Sequence, residues 1–183
     1  MEWRSLSPDG KLERLALRLE RINERLGEAV SWLSLLMVMV TFAVVVLRYV
    51  FDLGWIWLQE SVTYMHATLF LVGAAYTLGH EGHVRVDIFY RRFSRRTQAW
   101  VDLGGALLLL VPVCVFIFWV CWGYVMQSWA LLEGSREAGG LDGVYLLKTL
   151  MLVMAALLLL QGLAQVIRRA LELRDPAGAE RRG

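Results

Sequence analysis

Four long apolar stretches dominate this sequence. They cover residues 29–50, 57–79, 99–129 and 144–167 of a chain of 183 residues that is 57% hydrophobic. A helix rises about 1.5 Å per residue, so about 20 residues cross a hydrocarbon core of about 30 Å. Backbone groups in lipid must bond within their own segment, and uniformly apolar runs do not fit a β-barrel. The pattern predicts an all-α membrane protein with four transmembrane helices and leaves no room for a separate soluble domain.

Positive charge alternates from one connection to the next. Before, between and after the four stretches, Lys and Arg number 6, 1, 5, 2 and 5, with Arg48 and Lys148 assigned to the connections that they adjoin. Basic flanks resist translocation and are attracted to anionic lipid, so they accumulate on the cytoplasmic side. The alternation therefore predicts that both termini and the middle connection are cytoplasmic.

The chain divides into an arm at residues 1–27, a four-helix domain at 28–170 and a polar cytoplasmic tail at 171–183. Residues 11–26 repeat apolar side chains at steps of three and four, which is typical of an amphipathic helix. The members of this stripe are Leu12, Leu15, Leu19, Ile22 and Leu26. A parallel basic stripe consists of Arg14, Arg18, Arg21 and Arg25. We expect an interfacial helix whose guanidinium groups bind lipid headgroups; the alternative is a cytosolic arm that packs on a partner protein.

Two local features interrupt the helical pattern. Gly27 is a candidate bend between the arm and the first crossing. The third stretch would be about 46 Å long as a helix, so it must tilt, kink at Pro112 or project beyond the membrane.

Arg48 and Glu60 are the sharpest pair of polar residues, because both are expected near the outer ends of neighbouring helices. A charge at a helix centre in lipid costs about 2.5–3.5 kcal/mol on the insertion scale, and an ion pair lowers that cost. We therefore expect an Arg48–Glu60 bridge. The functional alternative makes Glu60 a proton or cation ligand, although sodium requires several oxygen ligands.

Histidines offer a different class of function. His66 lies on the predicted second helix, and His80 and His83 follow near its inner end. A haem between helices needs axial ligands from facing helices, and the third and fourth stretches contain no histidine. A haem- or quinone-associated anchor of a respiratory oxidoreductase remains the alternative, with His66 as the ligand. We expect no metal, no cofactor, no catalytic activity and no nucleic-acid partner.

A series of short motifs between residues 48 and 162 resembles the DctQ family, the small membrane subunits of tripartite ATP-independent periplasmic (TRAP) transporters. In chain order these motifs are Arg48-Tyr49-Val50-Phe51, Trp57 with Glu60, Gly73-Ala74, Gly82-His83-Val84-Arg85-Val86-Asp87, Gly139-Gly140-Leu141, Tyr145-Leu146-Leu147-Lys148 and Gln161-Gly162. The similarity covers roughly residues 28–170. Many relatives carry two acidic residues after the tryptophan, whereas here Gln59 precedes Glu60.

The resemblance implies a scaffold in the bacterial inner membrane. Its partners would be a large DctM-type subunit, a periplasmic substrate-binding protein and phospholipids, in a sodium-coupled uptake system for organic acids. Residues expected in structural pairing or at the subunit interface are Arg48, Glu60, Gly73, Ala74, Ala75, Arg85, Asp87, Lys148 and Gln161. Residues expected to meet the binding protein are Glu133, Arg136, Glu137 and Asp142.

Overall fold

Helices make up nearly all of the computed structural model, which describes residues 8–80, 90 and 93–174, the side chains of residues 8 and 9 excepted. No strand occurs in this described part. The four long helices are α1 (Pro8–Val50), α2 (Ile56–Gly79), α3 (Arg95–Ala130) and α4 (Val144–Arg174). We call the end of the bundle at residues 51–55 and 131–143 the outer end, and the opposite end the inner end, after the predicted orientation.

Three helices are both long and apolar enough to cross a membrane, namely α1, α3 and α4. Helix α2 has 24 residues, which is also long enough, but it is not one of these three. Its first half carries Glu60 and His66, and these polar side chains lower its mean hydropathy. The prediction of an all-helical membrane protein is confirmed, and a fourth crossing by α2 stays a prediction.

The arm and the first apolar stretch form one unbroken helix. Helix α1 has 43 residues and is about 65 Å long. The helix is continuous through Gly27, the candidate bend, and Gly27 lies where α2 packs against α1. A Cβ at Gly27 would lie 2.3 Å from Cγ of Tyr76, so the missing side chain lets α2 approach α1 closely.

Helix α4 is the centre of the bundle. It packs against α1, α2 and both halves of α3. Ala75 and Val72 of α2 form a buried cluster with Leu157 of α4. A third of the most apolar segment of α4 is buried within the chain, whereas none of the corresponding segment of α1 is. The chain therefore leaves a long apolar face of α1 uncovered.

Helix α3 contains a π-helical turn at Ala106–Leu110, where the Val111 N–H donates to the Ala106 carbonyl. Pro112 follows, and it lacks an N–H to continue the α-helical ladder. The wider turn accommodates the proline within a helix that continues to Ala130, and π-turns of this kind are a known cause of kinks. A Cβ at Gly162 of α4 would lie 2.8 Å from Cδ2 of Leu110, so this turn packs against a glycine.

The small residues Gly73, Ala74 and Ala75 do not act together as expected. Ala75 is buried in the core, but a Cβ at Gly73 would meet nothing within 4 Å. Successive residues point about 100° apart around a helix, so Ala75 faces the core of this chain while Gly73 does not. Within this chain the close helix contacts are at Gly27 and Gly162 and not at Gly73, and a role of Gly73 at the subunit interface stays a prediction.

Replacing Gly27 and Gly73 by alanine is expected to have opposite effects on thermal stability. Gly27→Ala places a methyl group against the base of the Tyr76 ring, and overpacking of this kind costs about 1–3 kcal/mol. Gly73→Ala meets open space and gains about 1 kcal/mol of helix propensity. Thermal unfolding in nanodiscs should show a lower midpoint for Gly27→Ala only. Equal midpoints for the two variants would contradict the close approach of α1 and α2.

Candidate functional site

The connection between α3 and α4, residues 131–143, folds back over the start of α2. We call it the outer loop. The Trp57 N–H at the start of α2 donates to the Gly139 carbonyl at 3.2 Å. Gly139 has a φ of +80°, a backbone conformation that side chains disfavour. The glycine turn thus brings the loop backbone onto the first turn of α2.

Both carboxylate oxygens of Glu60 bind the outer loop. The Ser135 hydroxyl donates to Oε1, and the Leu141 N–H donates to Oε2 at 2.6 Å. A Cβ at Gly140 would lie 2.7 Å from Oε2 and 2.4 Å from the Ser135 Oγ, so there is no space for a side chain at this position. We call Glu60, Ser135, Gly140 and Leu141 the Glu60 clamp. Its two hydrogen-bond donors stabilise the charge of the Glu60 carboxylate near the outer end of α2.

Further bonds within the loop extend from the clamp. The Ser135 N–H donates to the Leu141 carbonyl at 3.0 Å, which closes the two sides of the loop. The Glu137 N–H donates to the Ser135 Oγ at 3.1 Å, and the Gly140 N–H donates to the Glu137 carbonyl at 3.0 Å. The backbone of Glu137 is therefore held on both its N–H and its C=O side.

A second polar cluster joins α3, the loop and α4. The Lys148 ammonium forms an ion pair with Glu133, and the Ser128 hydroxyl donates to the same carboxylate at 2.7 Å. Lys148 also lies 4.0 Å from the centroid of the Tyr124 ring, a cation–π distance. The hydrogen bonds from Lys148 and then from Ser128 stabilise the ionised carboxylate and lower the pKa of Glu133 below its ordinary value.

The predicted Arg48–Glu60 bridge is not formed. Arg48 is exposed near the end of α1, and no ion pair joins it to Glu60 among the described residues. The outer loop supplies the partners of the carboxylate instead. Reasoning from adjacent helices missed these partners because Ser135 and Leu141 lie more than 70 positions further along the chain. The Gly139-Gly140-Leu141 motif marks this loop in the sequence but does not indicate its contact with Glu60.

Residues expected to meet a binding protein divide into two groups. Arg136, Glu137 and Asp142 are exposed on the outer loop. Glu133 is bound to Lys148 and Ser128 and is only 30% exposed, so it fixes the base of the loop rather than extending from it. Lys148, expected in structural pairing, finds its partner within this chain.

An inner polar layer joins the arm to α4. The Asn23 Nδ2 donates to the Gln161 Oε1 at 2.8 Å, and both side chains are 3% exposed. Glu20, about one turn before Asn23 on α1, forms an ion pair with Arg168 of α4. Gln161 was expected in structural pairing, but Asn23 was missed, since a single polar residue within an amphipathic pattern gives no sign of its partner.

The next residue of α4, Arg169, reaches α3 in the same layer. It forms an ion pair with Asp102 at 2.8 Å, and the Tyr90 hydroxyl donates to that carboxylate at 2.8 Å. Adjacent arginines of α4 therefore bind α1 on one side and α3 on the other.

The basic stripe of the arm points away from the bundle. Its four arginines are exposed, namely Arg14, Arg18, Arg21 and Arg25. Four members of the apolar stripe are exposed as well, namely Leu12, Leu15, Ile22 and Leu26. The faces predicted to meet lipid or a partner are thus uncovered by this chain. Arg85 and Asp87, expected to form an ion pair, lie outside the described residues.

The histidine hypothesis gains no support from the geometry. The His66 ring stacks on Phe70 of its own helix, with centroids 6.3 Å apart. Within the described ranges, no group of three or more His, Cys, Asp or Glu residues is arranged to hold a metal ion.

Comparison with known families decides the class of the protein. The family described as "Tripartite ATP-independent periplasmic transporters, DctQ component" matches residues 37–172, about three quarters of the chain. This chain belongs to the DctQ family. Curated proteins and solved structures gave no match. The matched region runs from the apolar part of α1 to the end of α4 and includes the Glu60 clamp, and DctQ proteins are transporter subunits rather than enzymes.

The pH dependence of stability should reveal the Glu133–Lys148 contact of this DctQ chain. Because the folded-state pKa of Glu133 is lowered, its stabilising effect is full above the ordinary glutamate range and is lost as the pH falls through the lowered value. Glu133→Gln should therefore have a lower unfolding midpoint than the wild type at neutral pH and converge with it in acid.

The exposed Glu137 provides a matched control for this measurement. Glu137→Gln should follow the wild-type curve of midpoint against pH. A constant gap between Glu133→Gln and the wild type, from neutral pH to about pH 3, would contradict a contribution from the ionised Glu133 carboxylate.

Proposed function

We propose that this chain scaffolds the large DctM-type subunit of a sodium-coupled TRAP transporter for organic acids and helps to dock its periplasmic binding protein. The DctQ match over residues 37–172 is the observation that carries the proposal. Sodium coupling and the organic-acid class follow from the kind of system to which the family belongs.

The scaffold role is supported by where this chain places its polar groups. Among the described residues, the buried polar side chains are Asn23 and Gln161 in the inner layer and Ser128 near the outer end. Transporter cores typically place their binding groups near the midplane, at broken helices. The polar groups here bind one another at the two ends of the bundle, an arrangement that suits a fixed support.

Two uncovered apolar faces give a scaffold the surface that it requires. On α1, Trp32 and Phe42 are 72% and 69% exposed, and on α3, Trp119 and Leu108 are each 76% exposed. Helix α4 packs against both of these helices. We propose that lipid and the large subunit share them, in an inner membrane.

The topology that we propose has four crossings and cytoplasmic termini. Helix α2 is the fourth crossing, because it packs antiparallel along α1: Tyr76 near its inner end meets Gly27, and the outer connection between them is only five residues long. The exposed arginines of the arm then face the inner headgroups, where their charge binds lipid phosphate.

Cysteine labelling tests the proposed topology. With Cys114 and Cys121 replaced by alanine, single cysteines at the exposed positions Glu24 and Glu137 report the two ends of the bundle. A membrane-impermeant maleimide added outside should label Glu137→Cys only, because three crossings separate the positions. If α2 does not cross, two crossings separate them and both positions lie on the same side.

Reconstitution tests the scaffold role. Proteoliposomes that contain this chain, the large subunit and the binding protein should accumulate substrate under an inward sodium gradient. Proteoliposomes that contain this chain alone should show uptake no greater than empty vesicles, because its buried polar groups lie at the ends of the bundle. Sodium-driven uptake by the chain alone would overturn the proposal.

A further inference from the structure

The Glu60 carboxylate contacts a loop, and that loop carries the exposed charges of the outer surface. We propose that Glu60 is a positioning residue that holds the outer loop in the conformation that the binding protein recognises, with Arg136 and Glu137 as the contact residues. The inference rests on the proposed docking role. It names the residues of the docking surface and the contact that holds them in place.

The first step is the chemistry around Glu60. Both carboxylate oxygens accept hydrogen bonds from the loop, one from the Ser135 hydroxyl and one from the Leu141 N–H. A sodium or proton site would instead surround the carboxylate with further oxygen ligands or a proton-transfer partner. Donors to an ionised acceptor form strong hydrogen bonds, so the carboxylate ties the loop to α2.

The second step is the path from Glu60 to the tip of the loop. The Ser135 Oγ that donates to Glu60 also accepts the Glu137 N–H, and the Gly140 N–H donates to the Glu137 carbonyl. The clamp therefore fixes the backbone that carries the exposed side chains of Arg136 and Glu137. A surface held in its bound conformation loses less conformational entropy on association.

The third step is the partner. The exposed pair at the tip presents one positive and one negative charge side by side, on a loop beyond the end of the helices. Adjacent opposite charges fit a folded protein surface with the complementary pair better than a uniformly charged lipid surface. We therefore assign this surface to a soluble protein that docks from the outer side and carries the complementary pair of charges.

The experiment compares Glu60→Ala with Gln59→Ala, a neighbouring exposed residue that is not part of the clamp. Both variants are assembled with the large subunit in nanodiscs. Hydrogen exchange of the amides at 135–141 should accelerate about tenfold or more in Glu60→Ala only, as expected for the loss of a hydrogen bond to a charged group. The Kd for the purified binding protein should rise about tenfold.

Ser135→Ala removes the hydroxyl that donates to Glu60 and accepts the Glu137 N–H, without changing α2, and guards against misfolding of the Glu60 variant. The Kd should rise in Ser135→Ala as it does in Glu60→Ala, and the effect in the double variant should be less than the sum of the two, because both substitutions remove the same Ser135–Glu60 bond. Uptake by Glu60→Ala should return towards the wild-type rate when the binding protein is raised to saturation, because only docking is weakened.

Three outcomes would each overturn one part of the proposal. Unchanged exchange at 135–141 in Glu60→Ala overturns the clamp. Uptake that stays low at saturating binding protein, with the Kd unchanged, shows that Glu60 serves transport directly. If exchange accelerates but neither Glu60→Ala nor a double alanine variant of Arg136 and Glu137 changes the Kd, the loop is held as proposed and the docking role itself fails.

Discussion

Helix α4 holds the structure together, because it is the helix against which all the others pack. In lipid, apolar side chains gain little by leaving the surrounding hydrocarbon, so helices associate through close packing and polar contacts. Helix α4 offers both. Leu157 and Gly162 provide close packing along its length, while Lys148 and Gln161 make polar contacts towards its outer and inner ends.

The two ends of the bundle use these polar contacts differently. At the inner end, Asn23–Gln161 and Glu20–Arg168 fix the arm along α4, so the arm continues α1 as one helix. At the outer end, Glu60 and Lys148 bind a loop instead of a helix. The inner contacts set the positions of helices, and the outer contacts set the shape of a surface. This division suits a support that is fixed from one side and recognised from the other.

Much of the fold could be predicted because apolar length and the requirement for internal hydrogen bonding act locally. The stretches at 57–79 and 144–167 correspond closely to the observed Ile56–Gly79 and the apolar part of Val144–Arg174. The DctQ assignment came from the order of short motifs, which is visible in a single sequence. The match over residues 37–172 confirms it. The errors concern partners. Arg48 was assigned to Glu60, and Gly73 has no close contact with another helix of this chain, because neighbours in the sequence pattern are not always neighbours in space.

The sequence by itself determined that this chain is a helical membrane protein of the DctQ family, since hydrophobic length and motif order need no three-dimensional information. Only the tertiary structure decided which residue binds which. Glu60 meets Ser135 and Leu141, and Asn23 meets Gln161, across separations of 75 to 138 residues. Such contacts depend on the rotation of each helix about its axis and on the path of a glycine turn. A difference of one residue rotates a side chain by about 100° around the helix, so the local pattern does not specify them.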